Sequence, residues 1–301
     1  MRRTSFKVSI VIPNWNGKEL LKKNLPQVLA AVGTYEIIVV DDCSDDGSAD
    51  FLQVYKQIKL IKNTFRCGFA ASVNKGVAAA SGDIVVLLNT DVVPARDFLT
   101  YLLPHFNNEQ VFAVGCMDRS HENGQIVLRG RGLGGWQHGF WQHRRGEVDK
   151  TDTDWVSGGS GAFRKSIWQK LGGMDEIYNP FYWEDIDLSY RAKKAGYSLV
   201  FEPHSIVDHF HQSGGIKTAF KPDYIKKISY RNQILFVWNN LTSWSLSIRH
   251  FLYLLYHIFR AILKRDMAFI FGFMAACKLI SQVALSRRRN RISDLKSDWE
   301  L

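Results

Sequence analysis

Residues 36–48, EIIVVDDCSDDGS, carry the choice of fold. Four consecutive β-branched residues, Ile37 to Val40, run into two adjacent carboxylates, Asp41 and Asp42, and then into a turn, Asp45-Asp46-Gly47-Ser48, suited to starting a helix. An apolar run with no alternation is the mark of a strand buried on both faces, as in a sheet sandwiched between helices. The same unit recurs on either side. Strands are expected at Val8–Ile12, Glu36–Val40, Ile58–Ile61 and Ile84–Leu88, with helices at 17–32, 47–56 and 69–80. Strand–helix alternation of this kind predicts an α/β fold with a mixed, mainly parallel sheet flanked by helices. Ligands then bind at the carboxyl ends of the strands, where this chain has PNWN (13–16), DDCSDDGS (41–48) and NTD (89–91).

Those ends carry definable chemistry. Asp41 and Asp42 can accept hydrogen bonds from a nucleobase imide or a ribose hydroxyl, whereas Asp45 to Ser48 are accounted for by turn and cap. Asp91, delivered by a strand and followed by Pro94, is placed to meet a diphosphate and its divalent cation, Mg²⁺ or Mn²⁺. Further on, FYWEDIDLSYRAKKAGY (181–197) sets Glu184, Asp185 and Asp187 in the first turn of a helix behind three aromatic residues. Helix-dipole stabilisation and an Asp187–Arg191 pair explain Asp187. They leave Glu184 and Asp185 on an aromatic shelf without a structural reason. In PHSIVDHFHQSGG (203–215), His209 and His211 share a face if the segment is extended.

Composition bounds the alternatives. With 301 residues and 46% hydrophobic content the chain can bury a large core. The net charge is +10, and from Arg249 onward Lys and Arg outnumber Asp and Glu. Four scattered cysteines form neither a CxxC pair nor a disulfide framework, which points to free thiols in a reducing compartment. The N-terminal apolar run is broken by Pro13, too early for a signal peptide core, so a cytosolic chain is expected through about residue 235. GRGLGGWQHGFWQHRRGE (130–147) reads as a long mobile loop, and Arg129 just before it or Arg131 within it would at most offer a clamp for a diphosphate. WVSGGSGAFRKSIWQKLGGMDE (155–176) predicts a strand, a tight glycine passage and a short helix stopped at Gly172-Gly173. Two helical runs, about 245–264 and 267–286, are dense in Leu, Ile, Phe and Tyr yet interrupted by basic residues. That pattern suits interfacial helices at a membrane surface better than spanning ones. SRRRNR near the end lacks any companion nucleic-acid recognition module, and no nucleic-acid partner is expected.

Taken in order, VSIVIPNWNG, EIIVVDDCSDDGS, NKGVAAASGDIVVLLNTD, GGSGAF, GGMDE and WEDIDLSYRAKKAGY resemble the family 2 glycosyltransferases of GT-A fold, near the bacterial rhamnosyltransferase-like branch. The resemblance spans roughly residues 6–235. It implies a nucleotide-sugar-binding half (1–95), an acceptor-binding half (96–235) and a membrane-associating helical segment (236–301). It also implies an inverting transfer from a dTDP- or UDP-sugar to a glycan or lipid-linked acceptor in surface polysaccharide synthesis, at the inner face of the cell membrane. On this chain the donor-binding positions are Pro13, Trp15, Asn16, Asp42, Ser44, Asn74, Asn89 and Asp91, with Lys75 beside Asn74. The metal-binding positions are Asp91 and His209. Asp185 is the implied general base with Glu184 beside it, and Trp183, Tyr182 and Gly159 face the acceptor. Asn89 stands where the family's DXD motif has its first Asp, which moves the metal load onto Asp91. The non-enzymatic alternative is a membrane-associated nucleotide-sugar-binding module that has kept the fold.

Overall fold

The computed structural model describes residues 6–210, 215–290 and 296–301. The first half alternates as expected: β1 (Val8–Asn14), α1 (Lys18–Val32), β2 (Glu36–Asp41), α2 (Ser48–Gln53), β3 (Ile58–Lys62), α3 (Phe69–Ala79) and β4 (Ile84–Leu88). It continues through β5 (Val92–Pro94), α4 (Phe98–Leu102), β6 (Val111–Glu122), β7 (Gln125–Arg129), β8 (Gly132–Gln137), β9 (Phe140–Arg145), β10 (Ser160–Arg164) and α5 (Lys165–Lys170). After α6 (Glu184–Lys194) and β11 (Ser198–His209) the chain is helical: α7 (Gly215–Ala219), α8 (Pro222–Asn240), α9 (Trp244–Lys264), α10 (Met267–Cys277) and α11 (Ile280–Arg289).

One nine-stranded sheet runs β3-β2-β1-β4-β10-β6-β11-β5, with β7 added on β6. The block β3-β2-β1-β4 is parallel, β10 is antiparallel to both its neighbours, β6 and β11 are parallel, and β5 and β7 run antiparallel to their partners β11 and β6. The sheet is therefore mixed, and it is continuous across residue 95. Every residue of β1 and β4 is buried, because one cluster (Ile10, Ile12, Leu21, Leu25, Val39, Val86) lies on one face and another (Val11, Ile38, Val73, Val77, Leu87) on the other. α3 lies so close to the second face that a Cβ on Gly76 would stand 2.4 Å from Val11 Cγ1, so only glycine permits this approach.

Two expectations are corrected. Residues 130–147 are not a mobile loop: β8 and β9 pair as a hairpin, with Trp141 buried against Tyr190 and Phe236 and Phe140 against His250 and His257. The aromatic side chains that give the segment its irregular composition are its anchor into the third core cluster. Arg131, rather than clamping a ligand, is buried, with Nη2 2.7 Å from Asp152 and Nε donating to the Asp152 carbonyl, and Arg129 pairs with Glu122. The second C-terminal run is also broken, into α10 and α11 with a bend of 61°. Among the described residues no single helix is long and apolar enough to cross a membrane, though this bent pair passes by length and composition.

The C-terminal helices are fastened to the sheet domain through buried carboxylates. Asp298 accepts from Tyr190 Oη at 2.7 Å, Lys194 Nζ at 3.0 Å and the Thr242 and Ser243 amides. Asp175 accepts from the amide of Ile177, from Asn239, Arg289 and Asn290, and from the hydroxyl of Ser286. Asp187 pairs with Arg191 at 2.7 Å as expected, and in addition accepts from Tyr178 Oη and Asn240 Nδ2.

Candidate active site

The carboxyl ends of β1, β2 and β4, the glycine passage before β10, the start of α6 and the end of β11 converge on one cleft of about 310 Å³. Pro13, Trp15, Asp42, Asn89, Asp91, Gly159, Tyr182, Glu184, Asp185 and His209 all line it. Residues separated by up to about two hundred positions in the chain thus share one surface, as the strand-end rule requires.

Asp42 is buried, and its first duty is structural. Oδ1 accepts from Asn63 Nδ2 and the Cys67 amide, each at 2.8 Å, and Oδ2 from the Gly68 amide at 2.8 Å. A carboxylate offers about four acceptor positions, so roughly one remains toward the cleft. The loop that Asp42 holds presents Arg66, whose guanidinium stacks 3.4 Å over the ring of Trp15 and 5.2 Å from that of Phe220. Arg66 is not among the expected donor-binding positions. It stands beyond the carboxyl end of β3, where the strand-end rule applied to that strand, as to its neighbours, places it within reach of a ligand.

At the far wall, Asp91 and His209 meet. His209 Nε2 is 3.4 Å from Asp91 Oδ1, and its Nδ1 is 2.7 Å from Asp118 Oδ2. Burial alone would lower the imidazolium's pKa, but the hydrogen bonds and charges of Asp118 and Asp91 outweigh it and raise the value to about 9. Asp118 itself accepts from Ser120 Oγ. Asn89 occupies the floor: its amide donates to the Gly159 carbonyl at 2.9 Å, and a Cβ on Gly159 would come within 2.5 Å of Asn89 Nδ2. The glycine is needed for the close approach of the asparagine. His211 lies outside the described residues.

Glu184 and Asp185 form the third wall. Asp185 accepts from the amides of Ile186 (2.8 Å) and Gly158 (3.1 Å), which aim it across the cleft. Burial pushes its pKa upward despite those hydrogen bonds. Glu184 is 5% exposed, and its Oε2 has no hydrogen-bond partner among the described residues. Burial, then the neighbouring Asp185 charge, raise the Glu184 pKa to about 8. Two neighbouring carboxyls that differ in hydrogen bonding are thereby biased toward different protonation states.

The backbone that delivers them is strained. Tyr182 and Trp183 both have positive φ, 72° and 80°, a conformation that costs on the order of 1–3 kcal/mol per non-glycine residue. α8 holds it in place. Asn232 Nδ2 donates to the carbonyls of Tyr178 (2.7 Å), Phe181 (3.0 Å) and Tyr182 (2.8 Å), and Arg231 donates to the carbonyls of Tyr178 and Asn179. This turn also decides between the two aromatic residues expected to face an acceptor. Tyr182 is exposed on the cleft, whereas Trp183 is turned into the core, 4% exposed, with its ring 5.1 Å from His143 and 5.3 Å from Phe236. Trp183 is a packing residue here and does not offer its face to a ligand.

Three other expected donor contacts lie beside the cleft. Asn16 and Ser44 bond to each other (Asn16 N to Ser44 Oγ, 2.9 Å), and Asn16 also pairs with Asp45, tying the β1 and β2 loops together. Asn74 exchanges two hydrogen bonds with the Met174 backbone, and Lys75 donates to Asn63. Asn16, Ser44, Asn74 and Lys75 are not among the residues that line the cleft.

Comparison with known proteins agrees with this architecture. The sequence profile described as Glycosyl transferase family 2 matches residues 9–172. A pre-mycofactocin glycosyltransferase of Mycobacterium tuberculosis is 30% identical over 209 residues, covering 68% of this chain and 43% of its own length. An N-acetylglucosaminyl-diphospho-decaprenol L-rhamnosyltransferase of the same organism is 26% identical over 218 residues, 62% of this chain and 70% of the relative. This chain therefore spans less than half the length of the first relative. In fold it is similar to GalNAc-T7 solved with UDP, GalNAc and Mn²⁺ (TM-score 0.62, 19% identity, 78% of this chain and 48% of that one). It is also similar to the mannosyltransferase PcManGT of Pyrobaculum calidifontis solved with GDP-Man and Mn²⁺ (TM-score 0.58, 16% identity, 94% and 79%). With the strand-end cleft in place and more than half of its residues matching that profile, the chain is a member of glycosyltransferase family 2, on a GT-A sheet.

Proposed function

We propose that this chain transfers a sugar, with inversion, from a nucleotide-diphosphate donor to a hydroxyl of a glycan or lipid-linked acceptor, as one step in building a surface polysaccharide. The observation that carries the reading is that Asp185 and the Asp91–His209 pair line one cleft, joined through the Gly158 amide, which Asp185 accepts from, and through Gly159, which accepts from the Asn89 amide. A transfer by single displacement needs both groups in one cleft: a base where the acceptor hydroxyl enters and positive charge where the diphosphate leaves.

Trp15, Arg66 and Asp42 would hold the base. The remaining acceptor position of Asp42 suits an imide N–H and the Arg66 guanidinium suits the adjacent carbonyl, a pattern that uracil, thymine and guanine share. The relatives support this range, since GalNAc-T7 was solved with UDP and PcManGT with GDP-Man.

Asp91 and His209 fit a divalent cation. Their donor atoms are 3.4 Å apart on one wall, and such cations are commonly held by one or two protein groups together with substrate phosphates. Nδ1 of His209 faces Asp118, the outer carboxylate typical of a metal-binding histidine. When bound, the cation would neutralise charge developing on the departing diphosphate. The chain's own residues do the rest. The acceptor oxygen forms a bond to the anomeric carbon while the bond from that carbon to the diphosphate oxygen breaks, and the hydroxyl proton passes to Asp185. The raised pKa of Asp185 improves it as a proton acceptor. Tyr182, exposed on the cleft, supplies a flat face for a sugar ring.

Asp185→Asn tests the assignment. Stabilisation of the protein by UDP, dTDP or GDP with Mn²⁺ in a thermal shift should persist in the variant, while sugar transfer falls by at least a thousandfold. Transfer at near wild-type rate would remove Asp185 from this role.

A further inference from the structure

α9 is 21 residues long, about 30 Å at 1.5 Å per residue, and it is apolar on two sides. One side, with Leu246, His250, Leu254 and Ala261, packs into the third core cluster or against the β8–β9 hairpin. The opposite side is bare: Trp244, Phe251, Leu255, Phe259, Ile262 and Leu263 are each 50–79% exposed. At 100° per residue these positions fall in one stripe roughly 120–140° wide. Beyond α9, Met267, Phe271 and Met274 of α10 and Ile280 and Leu285 of α11 are exposed as well. Of the large hydrophobic side chains exposed among the described residues, most lie between residues 244 and 285. A surface of this extent is not the scatter of single apolar residues found on any protein.

The charges around it select the partner. Between Trp244 and Arg289 there are eight Lys or Arg and a single acid, Asp266, and Asp266 is taken up by Lys226 and by capping α10. Arg249, Arg260 and Lys264 are exposed and fall together along one flank of the stripe. A second copy is a poor occupant, because pairing α9 with itself antiparallel across a two-fold would set these basic flanks against each other. A partner that is apolar inside and anionic at its margin matches both features. Trp244, Tyr253, Tyr256 and Trp299 are exposed aromatics of the kind that settle at the level of lipid headgroups, and Arg249 lies 5.4 Å over the ring of Trp299.

We propose that the outward face of α9, extended by α10 and α11, beds into the headgroup region of an anionic lipid bilayer, lying parallel to the surface rather than crossing it. The inference is independent of the transferase reading, and its failure would leave the cleft assignment untouched. Its usefulness to the fold follows from the anchoring already described: Asp298, Asp175 and Asp187 lock the C-terminal helices to the domain that carries the cleft, so a bilayer under α9 would hold the cleft at a fixed height.

The full chain is mixed with sedimentable vesicles of phosphatidylcholine alone or with phosphatidylglycerol. Co-sedimentation with the anionic vesicles, little with the neutral ones, and release in 1 M salt are expected. Phe251→Ser/Leu255→Ser/Phe259→Ser should remain in the supernatant while melting at the wild-type temperature, since all three side chains are exposed. Arg249→Gln/Arg260→Gln should bind anionic vesicles about 30-fold more weakly, from about 1 kcal/mol per basic side chain near such a surface. A wild-type protein that stays in solution beside anionic vesicles overturns the proposal. So does a lipid-free dimer, seen by light scattering, that the triple variant dissociates, because the face would then belong to a second copy.

Discussion

Replacing Glu184 by glutamine should remove a pH-dependent strain from the native state. The wild-type carboxyl is 5% exposed and its pKa is raised to about 8, by burial first and by the charge of Asp185 second. Below pH 4.5, the ordinary value for this group, it is protonated in both the folded and the unfolded chain and causes no difference. As the pH rises the unfolded chain ionises first, so the folded chain binds more protons and stability declines until the pH passes about 8. A gap of about 3.5 pH units at ~1.36 kcal/mol each sets a ceiling of about 5 kcal/mol, which water entering the cleft will reduce. Glutamine has the shape of the protonated acid and no such titration. Urea unfolding of both proteins at pH 5 and pH 9 measures the difference. At pH 5 less than about 1 kcal/mol of the difference should have developed, and from there to pH 9 the variant should gain at least about 1–2 kcal/mol on the wild type, well outside extrapolation error. His209, with its pKa raised to about 9, contributes stability below pH 6.5 that is lost through pH 9, but it does so in both proteins and cancels in the comparison. Parallel stability curves from pH 5 to 9 would refute the argument that Glu184 is held neutral by its surroundings.

Asn232→Ala removes three hydrogen bonds that hold the strained Tyr182–Trp183 turn. Denaturant unfolding should show a loss of about 2–4 kcal/mol, given that carbonyls left buried without a donor cost about 1–3 kcal/mol each; a loss below about 0.5 kcal/mol would mean that the turn is held by other contacts. Asp118→Asn leaves the cleft shape intact but withdraws the carboxylate that orients His209. Titration calorimetry of Mn²⁺ with a nucleoside diphosphate present should show metal affinity reduced by 10- to 100-fold, and unchanged affinity would exclude Asp118 from positioning the histidine.

How far the amino-acid sequence discloses this fold depends on the range of the interaction concerned. β1 to β4, and α1 and α3 between them, are written in runs of neighbouring residues: short segments rich in Val, Ile and Leu and apolar repeats at helical spacing that no distant contact has to supply. The strand-end rule then locates Pro13, Trp15, Asp42, Asn89 and Asp91 on the cleft, because a parallel sheet places its carboxyl ends on one edge whatever their loops contain. The start of α6 is equally plain, since carboxylates beside aromatic residues have few structural explanations.

Tertiary structure decides the matters that depend on a partner far away in the chain. Trp183 and Tyr182 look equivalent in sequence, yet a pair of positive φ values clamped by Asn232, fifty residues on, turns one ring into the core and leaves the other on the cleft. The hairpin at 132–145 has too few alternating residues to announce itself, and it exists because Trp141 and Phe140 find a pocket made by α6, α8 and α9. Motif position draws Asn16, Ser44 and Asn74 toward the donor, whereas in the fold they bond to Ser44 and Asp45, to Asn16, and to the Met174 backbone, outside the cleft lining. The C-terminal helices show the same division. Their amphipathic, basic character is a property of the sequence, but the side that faces inward is settled by where Asp175, Asp187 and Asp298 meet their partners. A buried charge accepts only a geometry that satisfies it, and that geometry is assembled from segments that have no way to register one another until the chain has folded.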